Sequence, residues 1–389
     1  MREKKTAWAI LFVLLHWGGT ATVFANGTHA PSEESADQIV SSRPDSHAPL
    51  GVMADHAHEA GELMFSYRSM GMVMEGIRDG TTPISTEKAL HDYAMVPITM
   101  RMQMHMFGAM LAPHNRVTFM AMISYRDNSM EMEGAHLHET GGHDHPVGRH
   151  SMSTGGFGDL RLSALIPLLN TSNADFLLNA GVSVPTGAID LKGTHGGSEL
   201  TVLPYPMQLG SGSFELRSGA TFAATRGSWS YGLQGRAAIP LNKNSQDYRL
   251  APTVGSTLWG ARRLNDWISV SLRGSFENWG GITSFVEHAE MGTAEDEHDH
   301  TAHHSHAAPT ASAQTVYMSP TMDPNLQGGT RATLAPGVNV ILPDKFSGIL
   351  TGQRLAVEFQ MPVYQNLDGP QMELDWTLIA GWQYAFELW

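Results

Sequence analysis

The sequence predicts an all-β protein: a transmembrane antiparallel β-barrel of about twelve strands, with short periplasmic turns and long extracellular loops. Three observations lead to this fold class. About twelve segments alternate apolar and polar residues with the period of a strand, the links between them are alternately short and long, and aromatic residues fall near the segment ends. These features are typical of bacterial outer-membrane barrels. A soluble sandwich would show the same alternation but does not require unequal links.

The N-terminal 62 residues precede the first predicted strand. Residues 1–25 have the basic start, the apolar stretch and the small-residue ending of a cleaved export signal. Residues 26–50 are polar and rich in Pro and Ser, which predicts a disordered leader. Residues 51–62 are interpreted as a periplasmic pre-barrel segment and residues 63–389 as the barrel. We therefore expect a protein that a Gram-negative bacterium exports, with a cleaved signal peptide, to its outer membrane.

The predicted strands follow one another along the barrel region. They are the segments 63–76, 96–112, 115–129, 156–168, 174–186, 211–224, 228–241, 250–261, 266–280, 329–342, 350–364 and 372–386. Each is at least as long as the roughly 9–11 residues that a tilted strand needs to cross a bilayer. The His-rich links 131–155 and 281–328 are predicted to be extracellular loops, and both chain termini then lie on the periplasmic side.

The polar faces of these strands are predicted to line the lumen, because a charged side chain facing lipid costs about 2–4 kcal/mol at the midplane of the bilayer. The predicted lumen-lining residues are Arg68, Arg101, His105, Arg126, Asp159, Arg161, Glu215, Arg217, Arg236, Arg273, Glu277, Arg331, Arg354, Glu358, Glu373 and Asp375. Opposite charges among them would form ion pairs across the lumen. These charges could only stabilise the barrel or could also select solutes, and the sequence leaves both open.

Methionine is frequent, with 23 residues. One set alternates with Arg101 and His105 and is predicted to face lipid: Met100, Met102, Met104 and Met106. A second set shares faces with Arg68 and Arg126 and is predicted to line the lumen: Met64, Met70, Met72, Met74, Met120 and Met122. Packing is one interpretation. A wall for an apolar solute or a path for Cu(I) are the alternatives, because the thioether contacts aromatic groups and binds soft metals.

Histidines are concentrated in the two long loops and before the first strand. Imidazoles beside carboxylates suit Zn²⁺, Ni²⁺ or Cu²⁺. The candidate metal ligands are His136, His138, His143 and His145 in the first loop, His298, His300, His303, His304 and His306 in the second, and His56 and His58 before the first strand. We expect weak metal binding at the loops and a metal or plug-anchoring role at His56 and His58. The alternative is a polar surface that changes charge near pH 6.5.

Composition and missing motifs exclude several function classes. The formal net charge of −14 argues against nucleic-acid binding, and the absence of Cys excludes thiol catalysis, disulfides and Cys-type metal sites. The chain has no GxxxxGK[ST] nucleotide loop and no GxSxG elbow, so we expect no enzyme; a hydrolase built without that motif is a minor alternative. No cofactor is required, although Cu, Zn or Ni could bind at the His-rich loops. The expected partners are outer-membrane lipid, the barrel-assembly machinery and a small-molecule solute.

Three stretches carry a family resemblance. They are GVMADHAHEAGELMFSYRSMGMVMEGIRDG (51–80), MRMQMHMFGAMLAPHNRVTFMAMISY (100–125) and ELDWTLIAGWQYAF (373–386). All three resemble the outer-membrane proteins associated with meta-pathway phenol degradation, usually described as transporters. The resemblance implies a channel for passive uptake or export of a small aromatic or apolar solute. Handling of copper, zinc or nickel is the alternative function. One departure from the family is the tail, which continues past Phe386 to Trp389.

Overall fold

The alternating segments form antiparallel strands in the computed structural model, which describes residues 43–134, 148–193, 200–284, 317–343 and 352–389. The strands are β1 (Glu62–Gly80), β2 (Thr82–Ile84), β3 (Met95–His114), β4 (Val117–Gly134), β5 (Arg149–Phe157), β6 (Leu160–Asn170), β7 (Ala174–Val184), β8 (Lys192–Gly193), β9 (Thr201–Val202), β10 (Glu215–Arg226), β11 (Trp229–Pro240), β12 (Tyr248–Arg249), β13 (Thr253–Arg263), β14 (Ile268–Trp279), β15 (Thr283–Ser284), β16 (Gly329–Ile341) and β17 (Arg354–Glu387). The links carry the helix α1 (Thr86–Leu90) and 3₁₀ turns at Tyr205–Met207, Pro320–Met322 and Pro324–Gln327.

Eleven of these strands close into a ring. Their order is β1-β3-β4-β6-β7-β10-β11-β13-β14-β16-β17, and β17 pairs back with β1. All neighbours in the ring are antiparallel. Because each strand pairs on both sides, the barrel leaves no open edge in the hydrocarbon layer of a membrane. The predicted fold class, a closed antiparallel barrel, is confirmed.

The last strand, β17, crosses the barrel twice. It has 34 residues, and a single strand of that length would extend over roughly 110 Å. Its first part pairs with β16 as far as Leu367, and its second part pairs with β1 from Leu367 to Glu387. Between the two parts, Gly369 adopts a φ of 110°, a backbone conformation that favours glycine. Counting β17 as two crossings gives twelve, the number that the alternation predicts.

The links on one side of the ring are much shorter than those on the other. The strands β3–β4, β6–β7 and β10–β11 are joined by two or three residues, and Gly227 supplies the positive φ of 61° in the last of these turns. The opposite links are long and carry the small elements β2, α1, β8–β9 and β12–β15. The strand β5 pairs with the half of β4 that is nearer the long links, and β6 pairs with the half that is nearer the short links. These two short strands together span the height of the barrel.

The outer face of the ring is apolar. Phe119, Phe157 and Leu258 are 53%, 55% and 63% exposed, and many other large apolar side chains are exposed on the same face. An apolar surface of this extent needs to be covered, and in a closed barrel lipid covers it. Among the described residues, no helix is long and apolar enough to cross a membrane.

Residues 43–61 lie inside the ring, and we call them the luminal segment. Leu50 and Val52 are each 2% exposed, and Ala48 and Ala54 are also buried. Val52 packs with Trp259 of β13, whereas Leu50 packs with Ala356 and Ile379 of β17. Part of the core therefore lies between the inner wall of the barrel and a segment that precedes its first strand.

Candidate functional site in the barrel lumen

Hydrogen bonds tie the luminal segment to strands around the ring. The Ser269 hydroxyl donates to Pro44 O at 2.7 Å, Gln234 Nε2 donates to Met53 O at 2.7 Å, and His58 N donates to Thr118 Oγ1 at 2.9 Å. Ser269 and Thr118 lie near the ends of their strands that meet the short links, and Gln234 lies midway along β11. The luminal segment therefore fills the half of the lumen next to the short links.

A buried ion pair on the barrel wall contacts the middle of the luminal segment. Arg273 Nε and Nη2 lie 2.9 and 2.8 Å from Glu358 Oε2, and their side chains are 5% and 1% exposed. Glu358 Oε1 also accepts a hydrogen bond from Gly51 N at 2.9 Å. A Cβ atom at residue 51 would overlap the Arg273 guanidinium, so only glycine allows the segment to approach this closely. Beside this pair, Arg354 Nη2 donates to Ala48 O at 2.6 Å.

Further charges line the wall between the luminal segment and the long links. Arg217 pairs with Glu215 at 2.9 Å, and Arg236 pairs with Glu277. The carboxylate of Asp159 accepts from Gly187 N at 2.9 Å and from Ser211 N at 2.8 Å, which fastens the link between β7 and β10. The Arg331 side chain donates to Gln365 at 3.1 Å. Arg126 and Arg161 make no ion pair with any residue that the structure describes, so the wall carries cationic charge without a paired anion.

Methionine forms the opposite wall. Near the long links, the 3₁₀ turn at Tyr205–Met207 packs against β3, β4, β5 and β17 inside the barrel, in what we call the outer methionine cluster. Its methionines are Met95, Met100, Met130, Met132, Met152, Met207 and Met372, with Met74 and Met102 at its edge. The inner methionine cluster packs the luminal segment against β1, β3 and β4, and its methionines are Met64, Met110, Met120 and Met122, with Met53 and Met106 at its edge. One side of the lumen is thus thioether-lined and the other is charged.

The phase of β3 is the reverse of the predicted one. Met100 is 1% exposed and packs in the lumen, whereas Arg101 is exposed on the outer face. His105 also faces outward, where its Nδ1 lies 2.7 Å from the Tyr67 hydroxyl. The alternation along β3 is as predicted, but the inner wall is itself apolar at this strand, so hydropathy assigns the two faces the wrong way round. Arg101 and His105 are therefore not lumen-lining residues.

Near the long links, the second crossing of β17 also departs from the predicted phase. The pairing of β17 with β1 shifts register here: Val73 pairs with Trp376 and Met74 with Leu374, which leaves Asp375 as the extra residue of a bulge. A bulge reverses the alternation beyond it. Asp375 is therefore exposed, while Leu374, which the alternation assigns to the lipid face, is 2% exposed inside the barrel. Glu373, next to Leu374, lies on the outer face, where it pairs with Arg78. Neither Glu373 nor Asp375 therefore lines the lumen.

The predicted metal ligands fall into two groups. The loop histidines His136, His138, His143, His145, His298, His300, His303, His304 and His306 lie outside the described residues. His56 and His58 lie in the luminal segment with their ring centroids 4.8 Å apart. The structure adds His47, whose ring lies 4.5 Å from that of His56, and Asp55, whose Oδ1 lies 3.0 Å from His56 Nδ1. No local spacing in the sequence connects His47 with His56.

The environment favours neutral imidazole at His47 and His58 and an ionised carboxylate at Asp55. Burial lowers the pKa of His47 well below its ordinary value, and the neighbouring His56 and Arg354 lower it further. Burial alone would raise the pKa of Asp55, but His56, which also hydrogen-bonds to it, and His47 hold that pKa far below its usual range. Burial also lowers the pKa of His58. Neutral imidazole and carboxylate are the forms that can bind a metal ion.

Comparison with known proteins gives similarity in fold. No protein-family model matches the sequence, and no curated protein is significantly similar to it. The structure is similar to that of the COG4313 outer membrane channel from Pseudomonas putida F1, with a TM-score of 0.52 and 12% identity over 87% of this chain and 99% of that chain. At this identity the likeness shows a shared outer-membrane barrel fold.

Two other barrels are less similar. The TodX deltaS2S3 mutant monoaromatic hydrocarbon channel has a TM-score of 0.40 and 8% identity, over 85% of this chain and 91% of that chain. The translocator domain of the autotransporter NalP from Neisseria meningitidis has a TM-score of 0.39 and 9% identity, over 83% and 88%. These two proteins differ from each other in function, and likenesses at this level carry no argument about function.

Proposed function

We propose that this protein is a passive outer-membrane channel for a small aromatic or apolar solute, closed at its periplasmic half by the luminal segment. The observation that carries the proposal is the pair of methionine clusters on one wall of a lipid-facing barrel. The channel named in the matched solved structure and the resemblance to the phenol-degradation transporters support the same class of activity. The solute moves down its gradient, and no cofactor takes part.

The methionine wall suits an apolar solute because thioether side chains are flexible and polarisable. Met100, Met130 and Met132 lie on adjacent strands between the luminal segment and the long links, where they pack against the 3₁₀ turn at Tyr205–Met207 that a passing solute would displace. A sulfur–aromatic contact contributes about 0.3–1.5 kcal/mol. Several such contacts would hold an aromatic ring weakly enough for it to leave again, as a conducting pathway requires.

The charged wall would accommodate a polar substituent on the solute. Arg126 and Arg161 stand on β4 and β6, next to the methionine wall, with no ion pair among the described residues. A guanidinium donates hydrogen bonds to hydroxyl or carboxylate oxygens. Ligand sites in proteins commonly combine an apolar lining with a few such polar groups. We infer that small aromatic acids and phenol-like compounds fit this lumen better than sugars.

Selective flux would test this function. Liposomes containing the purified barrel should take up benzoate faster than lactate, although benzoate is the larger anion. Two thioethers of the outer methionine cluster would be changed together, Met130→Gln with Met132→Gln. From the value of a sulfur–aromatic contact, we expect the benzoate-to-lactate ratio to fall about tenfold.

The matched control is Glu131→Gln, which lies between the two methionines on the outer face of the same strand. It should leave the ratio unchanged. Heat-modifiable migration would show that every variant is folded. A wild-type ratio at or below that of protein-free liposomes, or an equal effect of Glu131→Gln, would rule out the proposed selectivity.

A further inference from the structure

The luminal segment brings His47 next to Asp55 and His56, which follow it by eight and nine residues in the sequence. One ligand atom each from His47, Asp55 and His56 lies within 4.8 Å of the other two. The ring of His58 is next to that of His56 on the other side. The luminal segment has two arms, one before and one after the turn at Leu50 and Gly51. Asp55 Oδ2 accepts a hydrogen bond from Ala48 N at 3.1 Å, which joins the two arms.

Several imidazole nitrogens in this group are buried without a hydrogen-bond partner among the described residues. They are His47 Nδ1, His56 Nε2 and His58 Nε2. Buried polar atoms are almost always paired in proteins, because an unpaired one costs about 1–3 kcal/mol. The other nitrogen of His58 lies 3.0 Å from Glu62 Oε2. A carboxylate that orients one imidazole nitrogen while the other stays free is the usual environment of a metal-binding histidine.

We propose that His47, Asp55 and His56 form a site for one divalent transition-metal ion, with His58 as its neighbouring imidazole ligand. Imidazole and carboxylate donors suit Zn²⁺ and Cu²⁺, whereas Mg²⁺ and Ca²⁺ prefer sites made of oxygen alone. The ion would satisfy the unpaired nitrogens. Because its ligands come from both arms of the luminal segment, it would also hold the segment in its folded form inside the barrel.

A small cavity adjoins the site at the short-link end of the barrel. Its volume is about 40 Å³, and it lies beside Asp55 and His56, between the β6–β7 turn and the ends of β10 and β11. Asp45 and Asp175 also line this cavity, so further carboxylates stand close to the proposed ion. This site is separate from the His-rich loops, which leave the barrel at the opposite end. It goes beyond solute passage and does not depend on it.

Metal titration of the whole barrel would test the site. The histidines of residues 135–147 and 285–316 would first be replaced with serine, so that the loops bind nothing. This background protein, metal-free at pH 7.5, should then take up one Zn²⁺ per barrel in competition with a zinc indicator, and Cu²⁺ should displace it while Mg²⁺ does not. Combining His47→Gln with His56→Gln should abolish this uptake, and Glu62→Gln should weaken it roughly 10- to 100-fold.

His91→Gln, an exposed histidine at the end of α1, is the matched control and should bind Zn²⁺ as the background does. Uptake of less than one Zn²⁺ by the background protein, or unchanged uptake by the double variant, would overturn the site. A measurement on the background protein alone covers the case in which the double variant fails to fold. The paramagnetic resonance spectrum of bound Cu²⁺ should show coupling to at least two imidazole nitrogens, and a spectrum without nitrogen coupling would equally overturn it.

Discussion

A substitution at Glu358 would measure how strongly the barrel wall binds the luminal segment. Glu358→Gln keeps the shape of the side chain but leaves Arg273 without a counter-ion beneath Gly51. Breaking a buried ion pair in this way costs about 3–5 kcal/mol, chiefly because a buried charge is left uncompensated. Detachment of the segment would hydrate Arg273 and relieve that cost. Since a glutamine oxygen can still accept one hydrogen bond, we expect a value near the lower limit, about 3 kcal/mol, or roughly a 100-fold increase in the detached population.

The absence of cysteine makes this population measurable. Val52 is 2% exposed, and Val52→Cys would be the single thiol of the chain. In membranes opened to the periplasmic side, a water-soluble maleimide should label it about 100-fold faster when Glu358→Gln is also present, because labelling follows the open population when reclosing is fast.

The control is Glu373→Gln, which breaks the half-buried pair with Arg78 at the long-loop end of the barrel, away from the luminal segment. Its effect on the labelling of Val52→Cys should be small. If Glu358→Gln leaves the labelling rate unchanged, or if both variants raise it equally, the pair between Arg273 and Glu358 does not hold the segment.

Three further outcomes are expected. Leu162→Arg should impair assembly far more than Ser163→Arg, because Leu162 is 40% exposed on the lipid face and a midplane arginine costs about 2–4 kcal/mol; equal folding of the two in lipid, scored by heat-modifiable migration, would contradict the register. Asp159→Asn should speed proteolysis of the β7–β10 link at least severalfold, since it weakens the charge-assisted bonds to Gly187 and Ser211, and unchanged cleavage would show that the carboxylate does not fasten the link. Serine replacement of the loop histidines at 135–147 and 285–316 should remove the weak metal retention while solute flux persists. Wild type should itself lose this retention below about pH 6.5, because protonated imidazole does not bind metal. Loss of flux from a folded barrel would instead show that the loops gate the channel.

The architecture was predictable because two independent periodicities agree. The alternation of side chains sets the strands, and the unequal links set their connection and the position of the termini. The double crossing of β17 was also predictable, because 350–364 and 372–386 alternate on either side of Asp368, Gly369 and Pro370. Strand ends differ from prediction mainly on the long-loop side, where β4 continues to Gly134.

The arrangement of the lumen was less accessible to sequence reasoning. Alternation separates the two faces of a strand, but it does not say which face is inside when one wall of the lumen is charged and the other is apolar. On β3 the apolar face lies inside, and Arg101 lies outside. A one-residue bulge such as that at Asp375 leaves no compositional mark. The cluster of His47, Asp55 and His56 depends on a turn that brings His47 back to His56, and the polar, Pro-rich composition around His47 gives no sign of that return.

The methionine walls have a consequence for redox chemistry. The chain carries all its sulfur as thioether, with 23 Met and no Cys. Oxidation would convert these side chains to sulfoxides, which are polar and chiral and are reversed only by dedicated reductases. In the outer methionine cluster each new sulfoxide oxygen would be surrounded by apolar groups, and leaving it unpaired would cost about 1–3 kcal/mol. Oxidants that reach the cell surface would thus change the lumen from an apolar lining to a dipolar one, so the history of oxidative exposure would become a determinant of what the barrel admits.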